Sequence, residues 1–185
     1  MGEIHTPNLV LPVTAVFTRH PSAVLWAKDR IRREWGEIVL ESEPTAFSQT
    51  HYYDASMGEN LTKYLFAVSP LMAPARLVTM KHQSNAWEEE FARLSRENPP
   101  GEIAEIRPLN VDPGYVDLGK LVLASTKDYA HRIYLDQGIY AEITLFFRHG
   151  KWEKHAWTFP DYGSGIYDRF LNGCREILAK QRKSS

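Results

Sequence analysis

Short runs of alternating or continuous apolar residues, punctuated by Pro, Gly and Asn, set the order of elements along this chain. The β-branched run Val13 to Thr18 predicts a buried strand. The stretch RHPSAVLWAKDRIRREWG predicts a helix, with Pro21 in its first turn, Gly36 past its end, and Val24, Ile31 and Trp35 on one face. Glu37 to Ser42 and Lys63 to Val68 read as a second and a third strand on either side of the polar segment THYYDASMGEN. From Pro74 to Arg96, Leu77, Met80, Trp87, Phe91 and Leu94 recur at helical spacing. Asn85 with Glu88 beyond it resembles an N-cap and its box partner, which predicts a break near Ser84 and a fresh helix start. NPPG (Asn98 to Gly101) stops that element, and EIRPLNV (Glu105 to Val111) reads as the next strand. The resulting β-α-β-β-α-β order is that of a ferredoxin-like sheet with helices on one face.

Four further strand-like runs follow: GKLVLAST, AHRIYL, IYAEITLFF and KWEKHAWTF. They predict antiparallel hairpins that extend the sheet. A helix from about Ser164 closes the chain, with Tyr167, Phe170, Leu171, Cys174 and Leu178 among the residues of its apolar face, so that Cys174 reads as a packed thiol. The fold class expected is therefore α+β, a ferredoxin-like order extended by C-terminal hairpins, in a single domain over residues 1–185. A chain of this length that is 43% apolar can bury a sizeable core.

Neighbours along a strand point to opposite faces, so the hairpins also place charges. Ile139, Ala141, Ile143, Leu145 and Phe147 share one parity and are expected on the core side; Tyr140, Glu142 and Thr144 take the other. Ile133 and Leu135 on the core side send Arg132 and Tyr134 to the face of Glu142, and His131 the opposite way. Pairing Leu135 with Ile139 across a loop Asp136-Gln137-Gly138, with Gly138 left-handed, sets Tyr134 against Tyr140 and Arg132 against Glu142. A tight turn at His149-Gly150 pairs Phe147 with Trp152, Thr144 with His155 and Glu142 with Trp157. Two readings of this outer face stay open. It is a solvated sheet surface with a cross-strand ion pair, which spacing alone favours, or it is a pocket floor in which Arg132 holds an anion and Glu142 or His155 moves a proton.

Charge and composition narrow the function classes. The formal net charge is −1 with both signs spread along the chain, which gives no field for non-specific nucleic-acid binding. Cys174 is the one cysteine, so an intramolecular disulfide and a cysteine-based metal site are excluded. No apolar run reaches the roughly 20 residues of a membrane helix, and the N-terminal residues lack a signal-peptide pattern, so a cytoplasmic protein is expected. DPGY (Asp112 to Tyr115) has the Pro and Gly positions of a type II turn. His51 and Asp54 lack a further histidine at ligand spacing, so no metal site is assigned. P-loop, dinucleotide-binding and G-x-S-x-G signatures are missing from the sequence.

The block NVDPGYVDLGKLVLASTKDYAHRIYLDQGIYAEITLFF, with WTFPDY after it and THYYDASMG and MKHQSNAWEEEF before it, resembles the prokaryotic family of domains of unknown function DUF4416 over most of the chain. Ser56 and Ser84 stand where that family's pattern has an acidic residue and a threonine. The resemblance carries no activity to transfer, but it implies that the polar block is a unit. Its members fall into two clusters: Lys127, Arg132, Tyr140 and Glu142 on the hairpins, and Lys81, Asn85 and Glu88 at the expected helix break. Cations set among carboxylates and tyrosines suit a phosphate- or carboxylate-bearing ligand. The leading expectation is a small-anion site built from these residues, with Tyr134 beside them and Glu142 and His155 as proton-transfer candidates. The alternative is an interaction module, in which Tyr134, Tyr140, Trp152 and Trp157 form an aromatic patch for a partner or a second copy of the chain.

Overall fold

The computed structural model describes residues 2–47, 54–97 and 103–183, with the backbone alone at Asp54. Nine strands are present among them: β1 (Leu11–Thr18), β2 (Glu37–Glu41), β3 (Thr45–Phe47), β4 (Leu61–Ser69), β5 (Asn110–Asp117), β6 (Lys120–Ser125), β7 (Ile133–Asp136), β8 (Ile139–Arg148) and β9 (Lys151–Lys154). Four helices accompany them: α1 (Pro21–Glu34), α2 (Asp54–Met57), α3 (Leu77–Glu97) and α4 (Asp168–Lys183). The strands form one sheet in the order β2-β4-β1-β5-β6-β8-β7, with β3 beside β4 and β9 beside β8. Every pairing is antiparallel. The protein is thus α+β, as expected, and no described helix is long and apolar enough to cross a membrane.

Two cores lie on opposite faces of the sheet. Ala27 and Ile31 of α1 and Met80, Trp87 and Phe91 of α3 pack against Val16, Phe66 and Val111 on one face. Phe170, Leu171, Cys174 and Leu178 of α4 pack against Val13, Ala15, Leu65 and Val116 on the other. Cys174 is fully buried there, and burial pushes its thiol far up, so it is the inert core residue that its helical stripe predicts.

Helix α3 runs unbroken through Ser84, contrary to the predicted break. The Ser84 hydroxyl is buried and donates to the Lys81 carbonyl at 3.0 Å, and the apolar stripe on both sides of it stays in register against the sheet. The capping box is not formed, because the Glu88 carboxylate is engaged by Val111 and Arg107. The predicted stop at Asn98–Gly101 lies outside the described residues.

The strand expected over Glu105–Val111 begins only at Asn110, and DPGY lies inside it rather than in a turn. Pairing with β6 spans Gly114 to Asp117, so Pro113 has a strand neighbour on the β1 side alone, where a missing N–H is tolerated. Gly114 is required by close approach: a Cβ would stand 2.3 Å from the Val122 carbonyl oxygen and 2.6 Å from Leu123 Cδ2. Gly114→Ala is expected to cost about 1–3 kcal/mol or more by overpacking against backbone. A urea midpoint that falls at unchanged slope would register it, and an unchanged midpoint would refute the close approach.

Two bulges correct the parity count in the hairpins. Asp136 pairs with Ile139 across a two-residue turn, Gln137-Gly138, both at positive φ, and Leu135 is the extra residue. The Tyr134–Tyr140 register stands, and so does left-handed Gly138. In β8, Leu121 pairs with Leu145 and Val122 with Ile143, which leaves Thr144 as a second extra residue. Ile139 therefore packs with α3 while Leu145 packs with α4, and the single core face expected along β8 is divided between the two sides. Phe147 pairs with Trp152 as predicted, but β9 ends at Lys154, so His155 and Trp157 are in a turn rather than in a strand opposite Thr144 and Glu142.

Candidate functional site

Beyond Gly114 the strands β5 and β6 have no further pairing, and α4 does not extend over this end of the sheet. A cavity of about 560 Å³ occupies the space. Its walls come from β5 (Asn110, Asp112), the β6 end and following turn (Leu123 to Lys127, Tyr129), Arg132, Glu142 of β8, Lys81 and Asn85 of α3, Arg107, Phe47 and Phe159 to Asp161. Lys127, Arg132 and Glu142 of the predicted hairpin cluster and Lys81 and Asn85 of the α3 cluster thus line the same cavity.

Arg132 and Glu142 meet as predicted, with Arg132 Nε donating to Glu142 Oε2 at 2.8 Å. They are not on a solvated face, since both side chains are at least 95% buried. Arg132 also donates through Nη1 to Ser125 Oγ at 2.6 Å and to the Lys127 carbonyl at 3.1 Å, and its guanidinium lies 4.6 Å from the Tyr129 ring centroid. Its Nη2 makes no hydrogen bond with a described residue. Glu142 has both oxygens engaged, Oε2 by Arg132 and by His131 Nε2 at 3.2 Å, and Oε1 by the Thr144 hydroxyl at 3.2 Å. His131 is thus on the side of Glu142, opposite to its expected direction, because it sits in the turn before β7 where strand parity does not apply.

At the other wall Lys81 Nζ donates to Asp112 Oδ1 at 2.8 Å and to the Val111 carbonyl at 3.4 Å. Burial alone would push the Asp112 carboxyl up, but the Lys81 charge and hydrogen bond, with that of Asn110, pull it below the usual carboxylate range. Glu88 does not reach the cavity. It accepts from Val111 N at 2.8 Å and from Arg107 Nη2 at 2.6 Å, and burial pushes its carboxyl up against the pull of Arg107 and Lys81. Arg107 also bonds the Asn110 side chain. The Asn85 amide lines the cavity and makes no hydrogen bond with a described residue.

Tyr134, Tyr140, His155 and Trp152 are elsewhere too. Tyr134 and Tyr140 form an edge-on ring pair, centroids 5.4 Å apart, outside the lining. The His155 ring is stacked 4.6 Å from Trp157 and lies tilted 4.8 Å from Phe146, outside the cavity lining, with Nε2 buried and unpartnered. Trp152, counted in the aromatic patch, is buried in the α4 core and donates to Asn172. His51 and the Asp54 side chain lie outside the described residues, among which no group of three or more His, Cys, Asp or Glu could hold a metal.

Sequence reasoning missed Arg107, Asn110, Asp112, Asp161 and Lys63. Lys63 alternates with Leu61 and Leu65, a parity that points a lysine into the core. Its ammonium is 2.5 Å from Asp161 Oδ2 and 3.6 Å from the Tyr162 ring centroid, with Phe17 at 4.7 Å and Tyr167 at 5.0 Å. Burial pulls its pKa down to about 8 despite the opposing pull of Asp161. Asp161 lines the cavity and carries this buried pair to its wall.

No curated protein and no solved structure matches the chain. A family model for a domain of unknown function does, and its match spans residues 8–178, covering every wall of the cavity and both cores. This chain belongs to the DUF4416 family.

Proposed function

We propose that the chain binds a small anionic molecule, one that bears a phosphate or carboxylate group, in the cavity where β5 and β6 part. The observation that carries this is the convergence of Lys81, Arg107, Lys127 and Arg132, from α3, the segment before β5 and the β6–β7 connection, on one concavity of ligand size. Arg132 is held by Glu142, Ser125 and Tyr129 with Nη2 unspent, so an anion would meet a fork that is already ordered. In this reading Glu142 orients Arg132, and His155 takes no part. The order β2-β4-β1-β5 with α1 and α3 on one face supports a ferredoxin-like unit, to which the later strands and α4 add the second half of the cavity. A lone thiol fits a reducing cytoplasm.

A thermal-shift screen of inorganic phosphate, sugar phosphates, nucleotides, carboxylates and divalent metals tests the proposal. A phosphate or carboxylate class is expected to raise the melting temperature in a concentration-dependent way. A second reading is favoured by edge strand β7, where Ile133, Tyr134 and Leu135 are all exposed: it docks a partner or a second copy of the chain. A screen without any shift, together with self-association in sedimentation, would favour that reading instead.

A further inference from the structure

Four carboxylates stand in or directly behind the cavity wall, and three of them are spent. Asp112 accepts from Lys81 on Oδ1 and from Asn110 on Oδ2, at 2.8 and 2.7 Å. Glu142 and Glu88 likewise have both oxygens bonded. Asp161 differs. Its Oδ2 accepts from Lys63 at 2.5 Å and from the Tyr167 hydroxyl at 3.4 Å, while Oδ1 has no partner among the described residues. The side chain is only 5% exposed, yet it belongs to the cavity lining. Oδ1 is not among the fully buried unpartnered polar atoms, so it keeps an open side on which a ligand donor can take the place of water.

The charge around Asp161 selects the kind of donor. Lys63 already neutralises the carboxylate at contact distance, so a second full cation gains little there. A neutral hydroxyl, by contrast, gains a charge-assisted hydrogen bond. Phe47, Phe159 and Pro160 form the adjoining wall and suit a carbon skeleton. We infer that Asp161 Oδ1 receives a hydroxyl of the bound anion, so that the ligand is a hydroxylated phosphate or carboxylate. This rests on the proposal that the cavity binds an anion, and it adds the second point of recognition.

Calorimetric titration of the full chain with two matched pairs tests it: glycerol 3-phosphate against propyl phosphate, and glycerate against propanoate, with inorganic phosphate alongside. The hydroxylated member of at least one pair is expected to bind about tenfold tighter or more, because a site that is built around a hydroxyl discriminates against its absence. In the double variant Lys63→Met/Asp161→Leu, which removes the pair together, that preference is expected to fall to within about twofold while the anion still binds. Equal affinities within both pairs would overturn the inference and leave the anion site standing. A preference that survives in the double variant would overturn the assignment to Asp161. If no probe binds, inorganic phosphate included, the anion site itself falls and the inference with it. Should the double variant fail to fold, the comparison within each pair on the unaltered chain decides.

Discussion

Lys63→Met is expected to destabilise the protein by about 3–5 kcal/mol, the usual cost of leaving one member of a buried ion pair without the other. The Lys63 side chain is 1% exposed and its ammonium contacts the Asp161 carboxylate directly, and that carboxylate has only the Tyr167 hydroxyl besides it among described residues. Methionine keeps the stem packed against Phe17 and Tyr162, so the loss isolates the charge. Lys63→Met/Asp161→Leu is expected to recover most of the stability, since exchanging the whole pair for apolar residues is often close to neutral. The pH dependence has a definite sign. The folded pKa is about 8 and the ordinary value 10.5, so between them the unfolded chain holds the proton that the folded one has released, and stability rises with pH. Cys174 has an ordinary value of 9.0, raised on folding, and works against stability above that pH. Urea unfolding at pH 7.5 and 9 should therefore show a rise in the parent that is missing in the double variant. A parent whose stability falls over that interval would refute the buried charge.

Arg132→Met carries the second large effect. Glu142 is 4% exposed, and losing the guanidinium leaves it with His131 and the Thr144 hydroxyl, so a loss of about 3–5 kcal/mol is again expected. Arg132→Met/Glu142→Leu is expected to return to within about 1 kcal/mol of the parent, because two apolar chains replace two mutually neutralising charges. The double variant then separates fold from site: it melts near the parent temperature but shows no shift with the anions that stabilise the parent. A full ligand shift in that variant would remove Arg132 from the site.

Local patterns were readable wherever one element decides its own geometry. Pro21 and Gly36 bracket α1, the apolar stripe around Cys174 is the buried face of α4, and the Arg132–Glu142 contact follows from the Tyr134–Tyr140 register. Period-two counting failed where a residue is inserted. The extra Thr144 moves Leu145 to the opposite face from Ile139, a change that no feature of IYAEITLFF announces. DPGY satisfies the local chemistry of a turn and is nevertheless held as strand by β1, so Asp112 and Asn110, alternate residues on one face of it, were lost to the site. Arg107 and Asp161 have no local signature. Asp161 meets Lys63 across 98 positions of sequence, and only the closed fold joins them.

The anion site is tested most directly by anomalous diffraction from crystals soaked in tungstate, a tetrahedral oxyanion of the phosphate type. A peak is expected inside the cavity, within hydrogen-bonding distance of Arg132 Nη2 and on the side of the cavity that Lys81 and Asn85 line. Peaks confined to exposed surface cations, with none in the cavity, would contradict the site.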